Sequence, residues 1–239
     1  MTDIPQFDIE DLLNRRADLS SFVVHFTRKY KGKNARDNLE SIIGGRVLEA
    51  RTPMGLAADA KDESQFAVSF TECPLEHLYT FVAKIRGKRI DLEPYGLAFT
   101  KARARELGLN PVWYVDQTPT GREWLTGCIG NLIRQAQKGG QFATSDIAAL
   151  TPFFEIMQPA SGKTIQKEFW WEREWRYVGN LEFSLSDIAL GLCPENEVGH
   201  FENLTRGAVR FIDPRWSIER IIAKLAQVQG RISPFEPYA

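Results

Sequence analysis

Trp170-Trp171-Glu172-Arg173-Glu174-Trp175-Arg176-Tyr177 packs three tryptophans, two acids and two arginines into eight residues. Taken as a strand, its period-two alternation sends Trp171, Arg173, Trp175 and Tyr177 to one face. Trp170, Glu172, Glu174, Arg176 and Val178 then share the other face. Two carboxylates and a guanidinium stand in a row on an aromatic-rich strand. A carboxylate in apolar surroundings is costly unless something pairs with it, and Arg176 is a ready partner. The stretch therefore reads either as a structural ion pair on a sheet or as one wall of a binding cleft. The rest of the chain has to decide between them.

At 239 residues the chain is long enough for a real core. Its composition, 43% hydrophobic and 26% charged, is that of a globular protein rather than a disordered or fibrous one. A net charge of -1 supplies no overall basic field toward nucleic acid or an anionic membrane. Met1-Thr2-Asp3-Ile4-Pro5 lacks the basic start and apolar run of a signal peptide, and no apolar run reaches the length of a membrane span. Cys73, Cys128 and Cys193 are scattered and odd in number, which argues against a disulfide framework and for a reducing compartment. The expectation is a single soluble, cytoplasmic domain covering residues 1–239.

Working outward from the opening stretch, the chain alternates short strands with helices. Phe7 to Arg16 has the pattern of a short amphipathic helix, and Leu19 to Thr27 that of a buried strand with His25 at its C-terminal end. A basic run follows, Arg28, Lys29, Lys31 and Lys33. Asp37 is placed to cap a helix carrying Leu39, Ile42 and Ile43, which Gly44-Gly45 ends. Arg46 to Ala50 reads as a short strand and Arg51 to Ser64 as a loop. Gln65 to Glu72 is a strand with Phe66, Val68 and Phe70 on one face and Ala67, Ser69 and Thr71 on the other. Leu75 to Lys84 is a helix broken at Gly87, Tyr95 to Thr100 a strand, Lys101 to Leu107 a helix, and Pro111 to Val115 a strand. After a turn at Thr118 to Gly121, a helix runs from Arg122 to about Lys138, and Ser145 caps another to Leu150. Beyond Pro159-Ala160-Ser161-Gly162 the opening strand reaches Val178, with β character again at Leu181 to Leu185. Asp187 to Leu190 reads as a turn of helix, Val209 to Ile212 as a strand, and Ser217 to Val228 as a helix before a partly disordered tail. Without a regular βαβ rhythm, the pattern predicts a mixed α+β domain.

Several chemistries find no support. Gly44-Gly45 and Gly139-Gly140 fall at helix ends, so they read as caps rather than a phosphate loop. Cys73 and His77 share a helical spacing but lack a second ligand pair for zinc. No nucleophile elbow accompanies a serine. What remains are polar groups at strand positions: His25 with Thr27, Ser69 with Thr71 and Glu72, Tyr95, and Glu172 with Glu174. Each alone has a plain structural explanation, since strand-end histidines and tyrosines commonly fill cores and Ser/Thr pairs commonly meet a neighbouring strand. Arg28-Lys29-Tyr30-Lys31 could touch a phosphate.

The His25-Phe26-Thr27 strand end, followed by Asn38-Leu39-Glu40-Ser41-Ile42-Ile43 and Gly44-Gly45, resembles the start of the DarT-type ADP-ribosyltransferases. The Ser69-Phe70-Thr71-Glu72 strand, the Tyr95 to Phe99 strand and the late Trp-x-x-Glu-x-Glu-Trp-Arg element look more like the AbiGi family of abortive phage-infection proteins, which is the closer resemblance. Together the motifs cover roughly residues 20 to 180. The resemblance implies an ADP-ribosyltransferase-like fold, with a split, mixed β-sheet core and flanking helices, and NAD as the substrate. On it, His25, Thr27 and Arg28 would hold the NAD ribose or phosphate, with Arg51 the alternative to Arg28 for the pyrophosphate, and either Ser69 with Thr71 or Tyr95 would frame the nicotinamide. Glu174 would bind the ribose 2′-hydroxyl and stabilise the cation-like centre as nicotinamide leaves, with Glu172 orienting the acceptor. Trp171 or Trp175 would supply a stacking wall. The acceptor would be a macromolecule, protein or nucleic acid. AbiGi proteins are described as the antitoxin-like member of a two-gene defence system, which implies instead a non-catalytic protein that neutralises a partner encoded nearby.

Overall fold

The computed structural model describes residues 18–58, 62–83, 92–116, 124–157 and 169–226. The expected helix at Phe7 to Arg16, the break at Gly87, the turn at Thr118 to Gly121, the Pro159 to Gly162 segment and the C-terminal tail lie outside them. In chain order the first elements are β1 (Phe22–Phe26), α1 (Ala35–Gly45), β2 (Val47–Leu48), β3 (Thr52–Pro53), β4 (Phe66–Glu72) and α2 (Leu78–Val82). Next come β5 (Gly96–Thr100), α3 (Lys101–Glu106), β6 (Asn110–Pro111), β7 (Trp113–Asp116), α4 (Trp124–Lys138), α5 (Asp146–Leu150) and β8 (Phe154–Met157). The last are β9 (Glu174–Val178), β10 (Leu181–Glu182), β11 (Ile188–Leu192), α6 (Val198–Leu204), β12 (Phe211–Ile212) and α7 (Ile218–Ala226). The mixed α+β class is as expected. No helix among the described residues is long and apolar enough to cross a membrane.

The chain builds two compact units. Of the described residues, the first gathers those within Met1–Gly45, Glu72–Arg103 and Ser184–Ala239, and the second those within Arg46–Thr71 and Ala104–Phe183. In the first unit the strand order is β12-β11-β5-β1. β1 and β11 both run antiparallel to β5, and β12 runs parallel to β11. Val24, Phe26, Leu78, Phe81, Ala98, Leu190, Leu192, Ile212 and Ile221 form its buried core. Each large apolar side chain of this kind contributes about 1.5–3 kcal/mol on burial. A Cβ at Gly191 would meet the Phe211 ring at 2.1 Å, so glycine is what lets that ring lie against β11.

In the second unit β4 pairs antiparallel with β3 on one side and β9 on the other, and β6 pairs with β9. β7 and β8 form a separate parallel pair, and β2 with β10 an antiparallel one. α4 buries Ile129 and Ile133 against Val115, Phe142, Ala148 and Phe154. That face follows the i, i+4 spacing of an amphipathic helix. Ser145 caps α5 by accepting from the Ala148 N–H, as its sequence position predicts.

Local chemistry explains three departures. Asn34 rather than Asp37 caps α1, its Oδ1 accepting from the Asp37 N–H at 2.8 Å. Where a helix was expected from Leu75, the chain makes a 3-10 turn, Leu75–His77, leading into the five residues of α2, and the expected end at Lys84 lies outside the described residues. Asp187 to Leu190 is not a helical turn. Asp187 Oδ2 accepts from the Ser184 N–H at 2.7 Å, which closes a 3-10 turn over Leu185–Asp187 and releases the chain as a strand. Ile188, Leu190 and Leu192 then point alternately inward, the period-two signal that the turn residues obscured.

Candidate functional site

The opening stretch does not form one strand. Phe169–Glu172 is a 3-10 turn, Arg173 takes a left-handed conformation (φ 46°), and the strand begins only at Glu174. The Arg173 N–H donates to the Trp170 carbonyl at 3.2 Å, closing the turn. Glu172 is therefore removed from the strand face on which the alternation placed it. Trp171 and Arg173 are displaced likewise. Phe169, Trp170 and Trp171 in succession make the turn invisible to a strand pattern.

From Glu174 onward the alternation holds, and Glu174 and Arg176 share a face two residues apart. Arg176 is 1% exposed. Its Nε donates to Glu174 Oε1 at 2.9 Å and one terminal nitrogen to Glu174 Oε2 at 2.7 Å, a bidentate pair. The same nitrogen donates to Glu155 Oε2 at 2.7 Å, and the other terminal nitrogen to the Pro152 carbonyl. Burial works against the charge of Arg176, but Glu174 and then Glu155 more than offset it, so the guanidinium is held firmly protonated. The backbone of Glu174 is fixed as well. Its N–H donates to the Tyr114 hydroxyl and its carbonyl accepts from the Val112 N–H, both at 2.8 Å. Burial pushes the Tyr114 phenol well above its ordinary range, with the Glu174 charge adding to it. Across the sheet, Ser69 stands opposite Arg176 and Thr71 opposite Glu174. The structure thus brings Ser69, Thr71 and Glu174 together and joins them to Arg176, Glu155 and Tyr114. Glu155 and Tyr114 were beyond sequence reasoning, being 21 and 60 residues from their partners along the chain.

His25, Thr27, Arg28 and Tyr95 belong to the first unit. His25 is half-buried and pairs across the β1–β5 ladder with Leu97. A Cβ at Gly96 would lie 2.5 Å from the His25 carbonyl oxygen, so this close approach requires glycine. Thr27 is buried and ties the strand end to its neighbours. Its N–H donates to the Tyr95 carbonyl at 2.8 Å, and its hydroxyl to the Ala35 carbonyl at 2.9 Å. The Tyr95 hydroxyl donates to Glu197 Oε1 at 2.9 Å, and Arg36 Nε donates to Glu197 Oε2 at 2.8 Å. Burial, with Glu197 close by, pushes the Tyr95 phenol up. Arg36 also reaches Glu40 at 2.9 Å, and Glu40 pairs with His200 at 2.6 Å. The side chain of Arg28 is exposed, while its carbonyl accepts from Asn38 at 2.7 Å. The Arg36–Glu40 spacing was readable as an i, i+4 helix pair, but Glu197 lies 161 residues from Arg36.

The aromatic residues complete the second unit's geometry. Of six tryptophans, Trp113, Trp124, Trp170 and Trp171 are 54, 75, 59 and 37% exposed, and all four belong to this unit. Tryptophan is highly buried on average, so four exposed in one unit set its surface apart. Three of them flank Glu174. Trp113 lies between Val112 and Tyr114, which both bond its backbone, and Trp170 and Trp171 form the turn that precedes it. The Trp113 ring lies 5.0 Å from Phe154, which belongs to the buried cluster under α4.

A family model described as abortive phage resistance protein AbiGi, antitoxin, matches residues 48–206, two thirds of the chain. The chain belongs to the AbiGi family. The AbiGi match takes in nearly all of the second unit, with its exposed tryptophans and the Glu174–Arg176 pair. It also runs past residue 180 to the end of α6, further than the motifs at the sequence level reached. The His25-x-Thr27 strand end and the α1 helix, on which the likeness to DarT-type enzymes rested, lie before the matched segment. No curated protein and no solved structure matches the chain.

Proposed function

We propose that this AbiGi chain works as the antitoxin of a two-gene phage-defence system, binding and neutralising a protein encoded beside it. The observation that carries this reading is the set of exposed tryptophans in the second unit, three of them around one rigid junction at Glu174. Tryptophan supplies large contact area with little rotamer entropy to lose, and it is enriched among the residues that dominate binding energy. The Glu174–Arg176–Glu155 cluster holds that junction rigid, which lowers the ordering cost of binding. The role of the acid pair is then architectural. The test is co-expression with the neighbouring gene product, followed by affinity purification of a tagged AbiGi chain. A stoichiometric complex is expected from the wild type, and Trp113→Ala with Trp170→Ala should weaken it by at least about tenfold. A complex unaffected by the tryptophan changes would refute the surface.

A second reading is an NAD-dependent ADP-ribosyltransferase of ADP-ribosyltransferase-like fold, or an NAD glycohydrolase, with a macromolecular acceptor. Thr71 opposite a late-strand Glu174, with Ser69 beside it opposite Arg176, favours it. In that reading Glu174 would exchange one of its Arg176 bonds for the ribose hydroxyl of NAD. Nicotinamide release by the wild type, abolished in Glu174→Gln, would establish it. No release from folded protein at high concentration would remove it.

A further inference from the structure

A second surface lies in the first unit, in the loop between β1 and α1. Arg28, Lys29, Lys31 and Lys33 are all exposed, and this six-residue run contains no acid. The loop is pinned along its length. The Tyr30 N–H donates to the Lys33 carbonyl at 2.9 Å, and the Lys33 N–H returns the bond to Tyr30 at 3.0 Å. Lys31 and Gly32 both take left-handed conformations (φ 45° and 85°), as a tight type I′ turn requires. Asn38 holds the Arg28 carbonyl, and the Thr27 hydroxyl holds the Ala35 carbonyl. The cations are therefore displayed on a fixed backbone rather than a floppy tail.

Their charges are unspent. In the same unit Arg36, Lys101, Arg103, Arg215, Arg220 and Lys224 each hold a carboxylate. Among the described residues no carboxylate pairs with Arg28, Lys29, Lys31 or Lys33: Lys33 reaches only the Ser41 hydroxyl at 3.1 Å, and Lys31 lies 5.3 Å over the Tyr30 ring. The nearest acids on α1, Asp37 and Glu40, turn instead to Arg36, at 4.0 and 2.9 Å.

We propose that this loop binds the phosphodiester backbone of a nucleic acid. Four cations with no carboxylate partner among the described residues, held on a rigid turn, match a linear polyanion. An acidic protein is the poorer match, because protein interfaces are depleted in lysine and this loop exposes three lysines and no large apolar side chain. Since the chain's net charge is only -1, the attraction is local and independent of sequence. The loop lies outside residues 48–206 and in the other unit from the tryptophans, so it stands or falls separately from the partner-binding reading.

The test is fluorescence anisotropy of the full chain against a labelled DNA duplex of about 20 base pairs, a single-stranded RNA and a poly-glutamate peptide of like charge. Four phosphate contacts predict a log–log salt slope of about -3.6 for the duplex, or about a 150-fold loss of affinity between 50 and 200 mM salt. Lys29→Ala with Lys31→Ala should reduce that slope by about 1.8 and weaken binding by roughly tenfold. Thermal melting of the variant should be unchanged, because both side chains are exposed. Whichever of DNA and RNA binds more tightly identifies the source of the backbone. A wild-type slope shallower than about -1, an unaltered double variant, or poly-glutamate binding as tightly as either nucleic acid would overturn the proposal.

Discussion

Glu174→Gln separates an architectural acid from a chemical one by its effect on stability. Both Glu174 oxygens accept from Arg176, at 2.9 and 2.7 Å, and the two side chains are only 12 and 2% exposed. Hydrogen bonds to charged groups contribute about 1.5–3 kcal/mol each, and losing one partner of a buried pair costs about 3–5 kcal/mol. Glutamine keeps one acceptor but sets an amide N–H₂ against the guanidinium, while Glu155 continues to hold Arg176 at 2.7 Å. The expected loss is therefore below the full figure, about 2 kcal/mol, or roughly 4–8 °C in Tm for a chain of this size. Arg176→Met should cost more, about 3–5 kcal/mol, because it leaves Glu174, Glu155 and the Pro152 carbonyl without their donor. Differential scanning calorimetry and urea unfolding of both variants would measure the order. A Glu174→Gln protein as stable as the wild type, or more stable, would refute the architectural assignment, since acids held for chemistry commonly cost stability.

Three further outcomes follow from the same geometry. Asp213 is 3% exposed; burial alone would raise its carboxyl, but bonds from Arg215 and from the Arg215 and Glu195 N–H groups hold it below the usual range. A depressed folded value stabilises above the unfolded value of about 3.9, so that stability is lost as pH falls below about 4, and Asp213→Asn should flatten urea unfolding against pH there. Burial pushes the Cys73 and Cys193 thiols up to about 12, whereas Cys128 is exposed on α4. Mass spectrometry after native alkylation at pH 8 should find Cys128 alone labelled, and all three cysteines only after denaturation. A Cβ at Gly127, within α4, would meet nothing within 4 Å, so Gly127→Ala should stabilise the chain by about 0.5–1 kcal/mol in urea unfolding.

Much of the fold was legible where period and punctuation agreed. β1, β4, β5, α4 and α5 lie where alternation, i, i+4 spacing and caps put them, and Gly140 takes the left-handed conformation expected at a helix end. The failures have local causes. The 3-10 turn at Phe169–Glu172 hides inside a run of β-favouring aromatics, and the β11 strand follows a turn whose Ser184 and Asp187 mimic a helix start. Helix α6 and strand β8 are short elements whose burial depends on distant partners, Phe201 stacking on Phe211 and Phe154 packing under α4. At the candidate site, the Glu174–Arg176 pairing was readable because a strand places residues i and i+2 together. Glu155, Tyr114 and Glu197 were not, because only tertiary folding brings them to their partners. Nor could sequence report that Trp113, Trp124, Trp170 and Trp171 lie outside the core, since the same residues would serve equally well within it.

The most direct measurement is growth rescue, with the neighbouring gene product expressed together with wild-type AbiGi chain, Glu174→Gln, or the Trp113→Ala/Trp170→Ala pair. Expression is kept well below the melting temperature of each variant and matched by immunoblot. Neutralisation by the wild type and by Glu174→Gln, with loss in the tryptophan pair, is the predicted result. Rescue that survives the tryptophan changes but disappears in a folded Glu174→Gln protein would contradict the binding role and place the function in the carboxylate.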